Sequence, residues 1–184
     1  MFTPRLKFRG DRKYLQSASV LNWILREHGA SGLDLDFRFS ARTGNQVVLS
    51  TLRPEIGQRM IGRYSDASTS LFLVESEIPI LESEPYAESM LVQKFTGDDK
   101  KVIVPGPGDG FTAADITIAG FKFLVERLIP ESRGRLAFAR MMWKHPPIDE
   151  STIQLRRRIS GDMYEGSIHS QGNSIGSIIF GEWK

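Results

Sequence analysis

The sequence has no cysteine among its 184 residues and only three histidines. The lack of cysteine excludes disulfides, thiolate metal sites and a cysteine nucleophile. The histidines (His28, His145 and His169) are far apart and form no HxH or HxxxH pattern, so we predict no metal site. No apolar run approaches the length of a membrane span, and the first residues lack the apolar core of a signal peptide. We therefore expect a cytoplasmic protein that needs no resident cofactor.

The charge of the chain is small overall but unevenly distributed. A net charge of +2 gives no argument for nucleic-acid binding. Basic residues concentrate in the segments 1–13 and 133–158, and acidic residues concentrate in the segment 75–99. Basic patches favour an anionic partner, whereas two solvated surfaces of opposite sign are the ordinary alternative.

Two stretches of the sequence show the same order of features, about 97 positions apart. Residues 14–21 and residues 111–118 each begin an apolar, helix-like stretch. Each stretch follows a short segment with a glycine turn and precedes alternating, strand-like sequence. A repeated unit of strand, helix and several strands restricts the possible folds sharply, and chance similarity is the alternative explanation.

The spacing of apolar residues predicts two buried helices, over residues 17–28 and 112–127. Thr112 and Asp115 have the form of a capping box at the start of the second helix. Gly120 lies inside that helix, where glycine costs about 1 kcal/mol relative to alanine. This glycine therefore indicates close packing of the helix against another element.

Most of the remaining sequence alternates as strands do, which predicts an α+β protein. The predicted strands cover residues 33–39, 46–52, 59–64, 70–74, 135–143, 152–159, 163–169 and 174–183. The segments 43–45 and 171–173 have the Gly/Asn composition of tight hairpin turns.

The chain is predicted to consist of two halves and a connector. The expected division is an N-terminal unit over residues 1–78, an acidic connector over 79–101 and a C-terminal unit over 102–184. The connector is acidic and contains two prolines, which is typical of a linking segment.

The second half resembles the FabA-type beta-hydroxyacyl-carrier-protein dehydratases, which have the hotdog fold. The resemblance rests on Asp115 at the start of the helix, on the pair Gly120 and Phe121 within it, and on Gly134 and Arg135 before the following strand. The closing strands are also similar, and the first half is similar more faintly. This resemblance implies a tandem (double) hotdog, with two central helices that are each wrapped by an antiparallel sheet.

The resemblance also implies a site for an acyl thioester on coenzyme A or an acyl carrier protein. In the family, a histidine of one unit and an acidic residue on the partner's central helix perform the dehydration, and Asp115 matches the acidic position. No histidine stands at the other position. Tyr14 lies near that place and is the second catalytic candidate, as an acid, although its reference pKa of about 10 makes it a poor proton carrier without strong tuning.

Further candidate residues surround these two. Tyr14 or Gln16 would orient the substrate, and Gln16 and Ser17 would bind it. The glycine-rich turn that ends at Gly110 would let backbone approach it. The backbone N–H groups of Thr112, Ala113 and Ala114 would polarise the thioester carbonyl.

Arg157 alternates in phase with apolar residues, so we expect it on the apolar side of its strand, paired with an acid or lining a site.

Three interpretations of function remain open at this stage. They are a dehydratase-like lyase, an acyl thioesterase, and a hotdog module that serves only protein association. Asp115 has an equally simple structural explanation as part of the capping box. The anionic ligand would meet either the basic N-terminal segment or the segment 133–158. Whether the chain forms a homodimer is also left open.

Overall fold

The structure is a computed structural model that describes residues 2–27, 31–133, 136–160 and 162–182. The chain divides into two units, Met1–Ala87 and Glu88–Lys184. The first unit contains β1 (Phe8–Arg9), α1 (Ser17–Glu27), β2 (Leu35–Phe39), β3 (Asn45–Ser50), β4 (Met60–Ser65), β5 (Ser70–Pro79) and β6 (Ser83–Glu84). The second contains α2 (Glu88–Val92), β7 (Thr96–Gly97), β8 (Lys101–Val104), α3 (Ala113–Leu128), a 3₁₀ turn (Pro130–Ser132), β9 (Leu136–Trp143), β10 (Ser151–Ser160), β11 (Met163–Ser170) and β12 (Asn173–Glu182).

The α+β prediction is confirmed: each unit combines a helix with antiparallel strands. Each of the eight predicted strands begins within two residues of its predicted start. Helix α1 begins at Ser17 as predicted, while His28, where we expected it to end, lies outside the described residues. Within the described ranges, no helix is long and apolar enough to cross a membrane.

In the second unit, a long helix packs against a large antiparallel sheet, an arrangement consistent with a hotdog fold. The strand order is β9-β12-β11-β10-β8-β7. The hairpin between β11 and β12 turns at Gln171 and Gly172, whose φ angles are +50° and +79°. Positive φ at both central residues is characteristic of a type I′ turn, whose twist matches that of the flanking strands. The hairpin turn predicted over 171–173 is therefore confirmed.

Helix α3 lies very close to its sheet because glycines occupy the points of contact. A Cβ built on Gly120 would stand 2.5 Å from Val104 Cγ1 and 3.1 Å from Ile153 Cδ1. A Cβ on Gly166 of β11 would stand 2.5 Å from the ring of Phe121. That ring is fully buried and meets the ring of Phe180 edge to face at 5.5 Å. The close packing predicted from Gly120 is therefore confirmed.

The first unit has a comparable set of elements but a different strand order. Four of its strands form an antiparallel sheet in the order β3-β5-β4-β2, and β1 pairs with β6 in parallel. In the second unit the first strand after the helix pairs with the fourth, whereas in the first unit it pairs with the third. The two units therefore have the same order of elements along the chain. The last two strands, however, are placed in opposite orders within the sheet: β2-β4-β5-β3 in the first unit and β9-β12-β11-β10 in the second.

This strand order explains why the turn predicted over residues 43–45 is wrong as a hairpin. Strands β2 and β3 are separated by β4 and β5, so the segment between them cannot close a hairpin. Its backbone carbonyls are used elsewhere. Thr43 O accepts from Leu15 N at 2.8 Å, and Gly44 O accepts from Ile80 N at 2.8 Å.

The segment predicted as an acidic connector carries secondary structure of its own. It includes β6, α2 and β7. Helix α2 attaches to α3 through a half-buried ion pair, in which Lys122 Nζ lies 2.9 Å from Glu88 Oε1. Phe123 follows Lys122 in α3, and its ring meets the ring of Phe95 edge to face, with 5.9 Å between the ring centroids. The boundaries 1–78, 79–101 and 102–184 stay a prediction.

A single carboxylate, that of Asp66, organises the turn between β4 and β5. Its Oδ1 accepts from Ser68 N and Thr69 N at 2.8 and 2.7 Å, and its Oδ2 accepts from Tyr64 Oη at 2.8 Å and Gly32 N at 3.0 Å. Burial alone would raise the pKa of Asp66, but these hydrogen bonds outweigh it and hold the pKa well below its usual range. Burial first, and then the bond to Asp66, raise the pKa of Tyr64.

Replacing Gly166 by alanine should destabilise the protein by about 1–3 kcal/mol, because the added methyl group overlaps the immobile ring of Phe121. Urea unfolding of the Gly166→Ala protein measures the change. Gly108→Ala is the matched control, since a Cβ there meets nothing within 4 Å. We expect its stability to be unchanged or slightly raised. Equal stabilities for the two variants would contradict the proposed contact.

The Asp66 cluster should make stability depend on pH in the acidic range. The folded pKa of Asp66 is lowered, so its contribution is fully present above the unfolded value of 3.8 and is lost as the pH falls towards the folded value. Urea midpoints at pH 7, 5 and 3 should therefore fall more steeply for the wild type than for Asp66→Asn. The variant should also lose about 1–3 kcal/mol at pH 7. Parallel pH curves for the two proteins would show that Asp66 makes no such contribution.

Candidate functional site at the start of helix α3

A tight turn delivers the chain into helix α3. Gly108 and Phe111 exchange two backbone hydrogen bonds, of 3.1 and 2.9 Å, around Asp109 and Gly110. Both central residues have positive φ, +52° and +82°. The side chain of Asp109 forms an ion pair with Lys94. The glycine-rich segment that ends at Gly110 is thus a closed turn, and Gly110 itself is exposed.

The predicted capping box is present at the first turn of α3. Thr112 is the N-cap residue, with φ −82° and ψ 165°, and its Oγ1 accepts from Asp115 N at 3.0 Å. In return, Asp115 Oδ2 accepts from Thr112 N at 3.2 Å and from Thr112 Oγ1 at 3.0 Å. The Asp115 side chain is buried, at 3% exposure. These bonds fix the carboxylate against the start of the helix.

The capping box changes which backbone donors a ligand could use. We predicted donation from the N–H groups of residues 112–114, but the Thr112 N–H already donates to Asp115. The N–H groups of Ala113 and Ala114 belong to the first helical turn and have no acceptor within the helix. The half-buried Ala113 and the buried Ala114 are therefore the positions at which this helix could polarise a carbonyl oxygen.

No described histidine joins Asp115 on the helix side of its sheet. His145 is exposed in the loop after β9, with Nδ1 3.3 Å from Pro146 O. His169 lies on β11, where Gly166 and Ile168 face α3, so strand alternation turns His169 to the opposite face. Its Nε2 lies 2.9 Å from Ser167 Oγ on that face. The third histidine, His28, lies outside the described residues.

Tyr14, Gln16 and Ser17 lie in the first unit, around the start of α1. The half-buried ring of Tyr14 is covered by the guanidinium of Arg42, with 4.5 Å between Cζ and the ring centroid. Gln16 O accepts from Ser19 N at 3.0 Å, and Ser17 is the buried first residue of the helix. Their roles towards a substrate stay predictions.

The expected position of Arg157 on the apolar side of its strand is wrong. The pairing of β10 with β11 shifts between Leu155 and Arg157, so a bulge breaks the alternation that the sequence suggested. The side chain of Arg157 is 68% exposed, and its Nε lies 2.7 Å from Glu165 Oε2. Arg157 thus forms the pair with an acid that was one of its two predicted roles.

Sequence reasoning missed a second buried tyrosine, on β11. The hydroxyl of Tyr164 donates to Glu182 on β12, and the guanidinium of Arg158 lies 5.4 Å from its ring centroid. Burial, followed by the bond to Glu182, raises the pKa of Tyr164 to about 12. Its O–H is the donor of the hydrogen bond to Glu182. Among the described residues, no group of three or more His, Asp or Glu could hold a metal ion.

No protein-family model matches this sequence, and no curated protein matches it at a significant level. Solved structures that resemble the chain include the dehydratase domain of RzxB from Pseudomonas fluorescens, with 13% identity, a TM-score of 0.46 and coverage of 95% of this chain and 92% of that one. The erythromycin dehydratase is similar at 9% identity and a TM-score of 0.49, covering 93% and 82% of the two chains. A conserved protein of unknown function with a hot dog fold from Alicyclobacillus acidocaldarius is similar at 10% identity and a TM-score of 0.43, covering 91% and 85%. These similar structures are dehydratase domains and a protein with a hot dog fold, the kinds of protein that the resemblance of the second half named.

Proposed function

We propose that the chain is a cytoplasmic tandem hotdog that binds acyl thioesters of coenzyme A or of an acyl carrier protein. Two features support the fold proposal. The second unit packs a long helix on an antiparallel sheet, and the first unit repeats the order of one helix followed by four strands. The hotdog units would extend over residues 1–78 and 102–184, joined by the segment 79–101.

The chemistry that we propose is dehydration of a 3-hydroxyacyl thioester, with Asp115 as the catalytic residue. The observation that carries this proposal is the buried carboxylate at the start of α3, next to first-turn N–H groups. Asp115 would take the proton from Cα, and the N–H groups of Ala113 and Ala114 would stabilise the negative charge that develops on the thioester oxygen. The Cβ–O bond then breaks, and the hydroxyl leaves as water with the proton that Asp115 returns.

A second candidate is thioester hydrolysis, because no histidine stands at the position of the family's catalytic histidine. Since His169 faces away from α3, Asp115 would act without an imidazole from its own unit. A carboxylate that serves as a base for water needs no raised pKa. Water would lose its proton to Asp115 and attack the carbonyl carbon. The C–S bond would then break, and the thiolate would take the proton from Asp115.

The third candidate is a hotdog module without catalysis. Both partners of the capping box already bond each other, so Asp115 has a structural role whether or not it has a chemical one. Any test of catalysis therefore has to separate loss of the cap from loss of the base.

A panel of 3-hydroxyacyl, enoyl and saturated acyl thioesters should distinguish the three candidates by product. An enoyl thioester indicates the lyase, a free thiol indicates hydrolysis, and no turnover at any chain length indicates the module. For an enzyme, Asp115→Asn should lower the rate by about 10²–10⁴-fold, because the amide accepts hydrogen bonds but cannot take a proton. The rate is followed by the absorbance of the enoyl thioester or by thiol titration.

Thr112→Ala is the matched control for this substitution. It removes the cap, at a cost of about 1 kcal/mol in stability, but keeps the carboxylate. We expect it to retain far more activity than Asp115→Asn at a temperature where both proteins are folded. Equal loss of activity in the two variants would identify Asp115 as a structural residue, and unchanged activity of Asp115→Asn would exclude it from catalysis.

Binding of acyl-coenzyme A and of acyl-carrier conjugates should weaken as salt increases, because both ligands are anionic and basic residues concentrate in the segments 1–13 and 133–158. Titrations at about 50 and 500 mM salt, below and above the range in which surface charges are screened, measure this effect. Binding that does not respond to salt would contradict electrostatic docking. No binding of either ligand at any chain length would contradict the proposed function as a whole.

A further inference from the structure

A basic groove of about 170 Å³ lies in the first unit, between the extended N-terminal segment and one face of helix α1. The segment contributes the cations at positions 5, 7 and 9. The helix contributes a cation, a hydroxyl and an indole. The side chains that matter for its chemistry are Arg5, Lys7, Arg9, Ser19, Trp23 and Arg26. This groove does not include any of the residues assigned to thioester chemistry.

The extended segment is held in place from both sides. The side-chain amide of Gln46 on β3 brackets Leu6: Leu6 N donates to Gln46 Oε1 at 2.9 Å, and Gln46 Nε2 donates to Leu6 O at 3.0 Å. Phe8 N donates to Glu82 O at 3.0 Å, where β1 pairs with β6. Leu6 is buried while its neighbours Arg5 and Lys7 are exposed, as alternation along an extended chain requires. The backbone that carries the cations is thus held at defined positions.

The helix side of the groove is a polar stripe on an otherwise apolar helix. Ser19, Asn22, Trp23 and Arg26 are spaced at i, i+3, i+4 and i+7, which places them on one helix face. Ser19 is only 7% exposed, and its hydroxyl has no hydrogen-bond partner among the described residues. A buried hydroxyl without a partner is costly, so an oxygen supplied by a ligand would remove an existing penalty.

The charges that line the groove favour an anion. Arg5, Lys7, Arg9 and Arg26 face only Glu27 and Glu84 within its lining. Lys7 pairs outside that lining, with Nζ 2.8 Å from Glu82 Oε2, and Arg9 Nε lies 3.4 Å from Glu84 Oε1. Arg26 forms no ion pair with any residue that the structure describes, so its guanidinium is available to a ligand.

We propose that this groove binds the phosphate group of a small phosphorylated molecule. A phosphate carries up to two negative charges and several acceptor oxygens. It therefore suits the cations and the donor hydroxyl of this groove better than a single carboxylate does. The volume is smaller than the roughly 300–1,000 Å³ of a site that encloses a whole ligand, so the groove would hold the phosphate end and leave the rest outside. This inference deepens the anionic docking that we propose for the segment 1–13, and it is independent of the proposed chemistry, because phosphate binding requires no action on a thioester.

Calorimetric titration of the full chain with inorganic phosphate, 4′-phosphopantetheine and pantetheine tests the proposal. We expect phosphopantetheine to bind at least about tenfold more tightly than pantetheine, and inorganic phosphate to compete with it. Tighter binding of phosphopantetheine than of inorganic phosphate would identify a phosphorylated carrier as the source of the phosphate, and the reverse order would identify the free ion. Equal affinities for pantetheine and phosphopantetheine, or no heat with phosphate at millimolar concentration, would overturn the proposal.

Substitutions in the groove distinguish specific binding of phosphate by these side chains from non-specific attraction to a basic surface. Arg26→Gln should weaken phosphate binding about tenfold, and Ser19→Ala should weaken it while leaving the melting temperature unchanged or higher. Arg53→Gln is the matched control, since Arg53 is an exposed arginine of the same unit outside the groove. Wild-type affinity in Arg26→Gln, or equal weakening in Arg53→Gln, would overturn the assignment. The Asp115→Asn protein should bind phosphate as the wild type does. The phosphate proposal can therefore be tested even if the proposed thioester chemistry is wrong.

Discussion

The contact between the Phe121 ring and the backbone of Gly166 sets the distance between helix α3 and its sheet. Together with the contact of Gly120 against Val104 on β8, it lets the helix approach the sheet more closely than any side chain at the two glycine positions would allow. The ring of Phe180 closes the cluster from β12, so three elements meet at one point. Because these groups are buried and closely packed, the helix has little freedom to shift along the sheet. The position of its first turn, and with it the position of Asp115, follows from packing about one and a half turns away.

Features that depend on a few neighbouring residues could be read from the sequence. The capping box of Thr112 and Asp115, the tight turn at Gln171 and Gly172, and the close packing at Gly120 are all present as predicted. Each is decided by the chemistry of residues that lie within one turn of one another, or by the cost of a glycine in a helix.

Features that depend on strand pairing could not be read in this way. The bulge before Arg157 reverses the side on which that arginine lies, and the order of β4 and β5 makes residues 43–45 a crossing connection instead of a hairpin. Nothing in the local sequence distinguishes these outcomes, since both depend on which distant strand supplies the hydrogen bonds. The functional residues follow the same rule. The place of Asp115 was predictable, whereas the polar stripe from Ser19 to Arg26 becomes meaningful only beside the N-terminal segment that faces it.

The exposed half of β10 has a consequence for strand pairing between copies of the chain. Strand β8 pairs with β10 only over residues 151–154, so the described part of the strand beyond Gln154 has a hydrogen-bonding neighbour on one side alone. An open strand edge of this kind is a template for other chains. Here the edge carries Arg156, Arg157 and Arg158 in a row, and the bulge twists it away from a regular register. A second copy that approached this edge would meet long charged side chains and an irregular backbone, and both features disfavour pairing between strand edges.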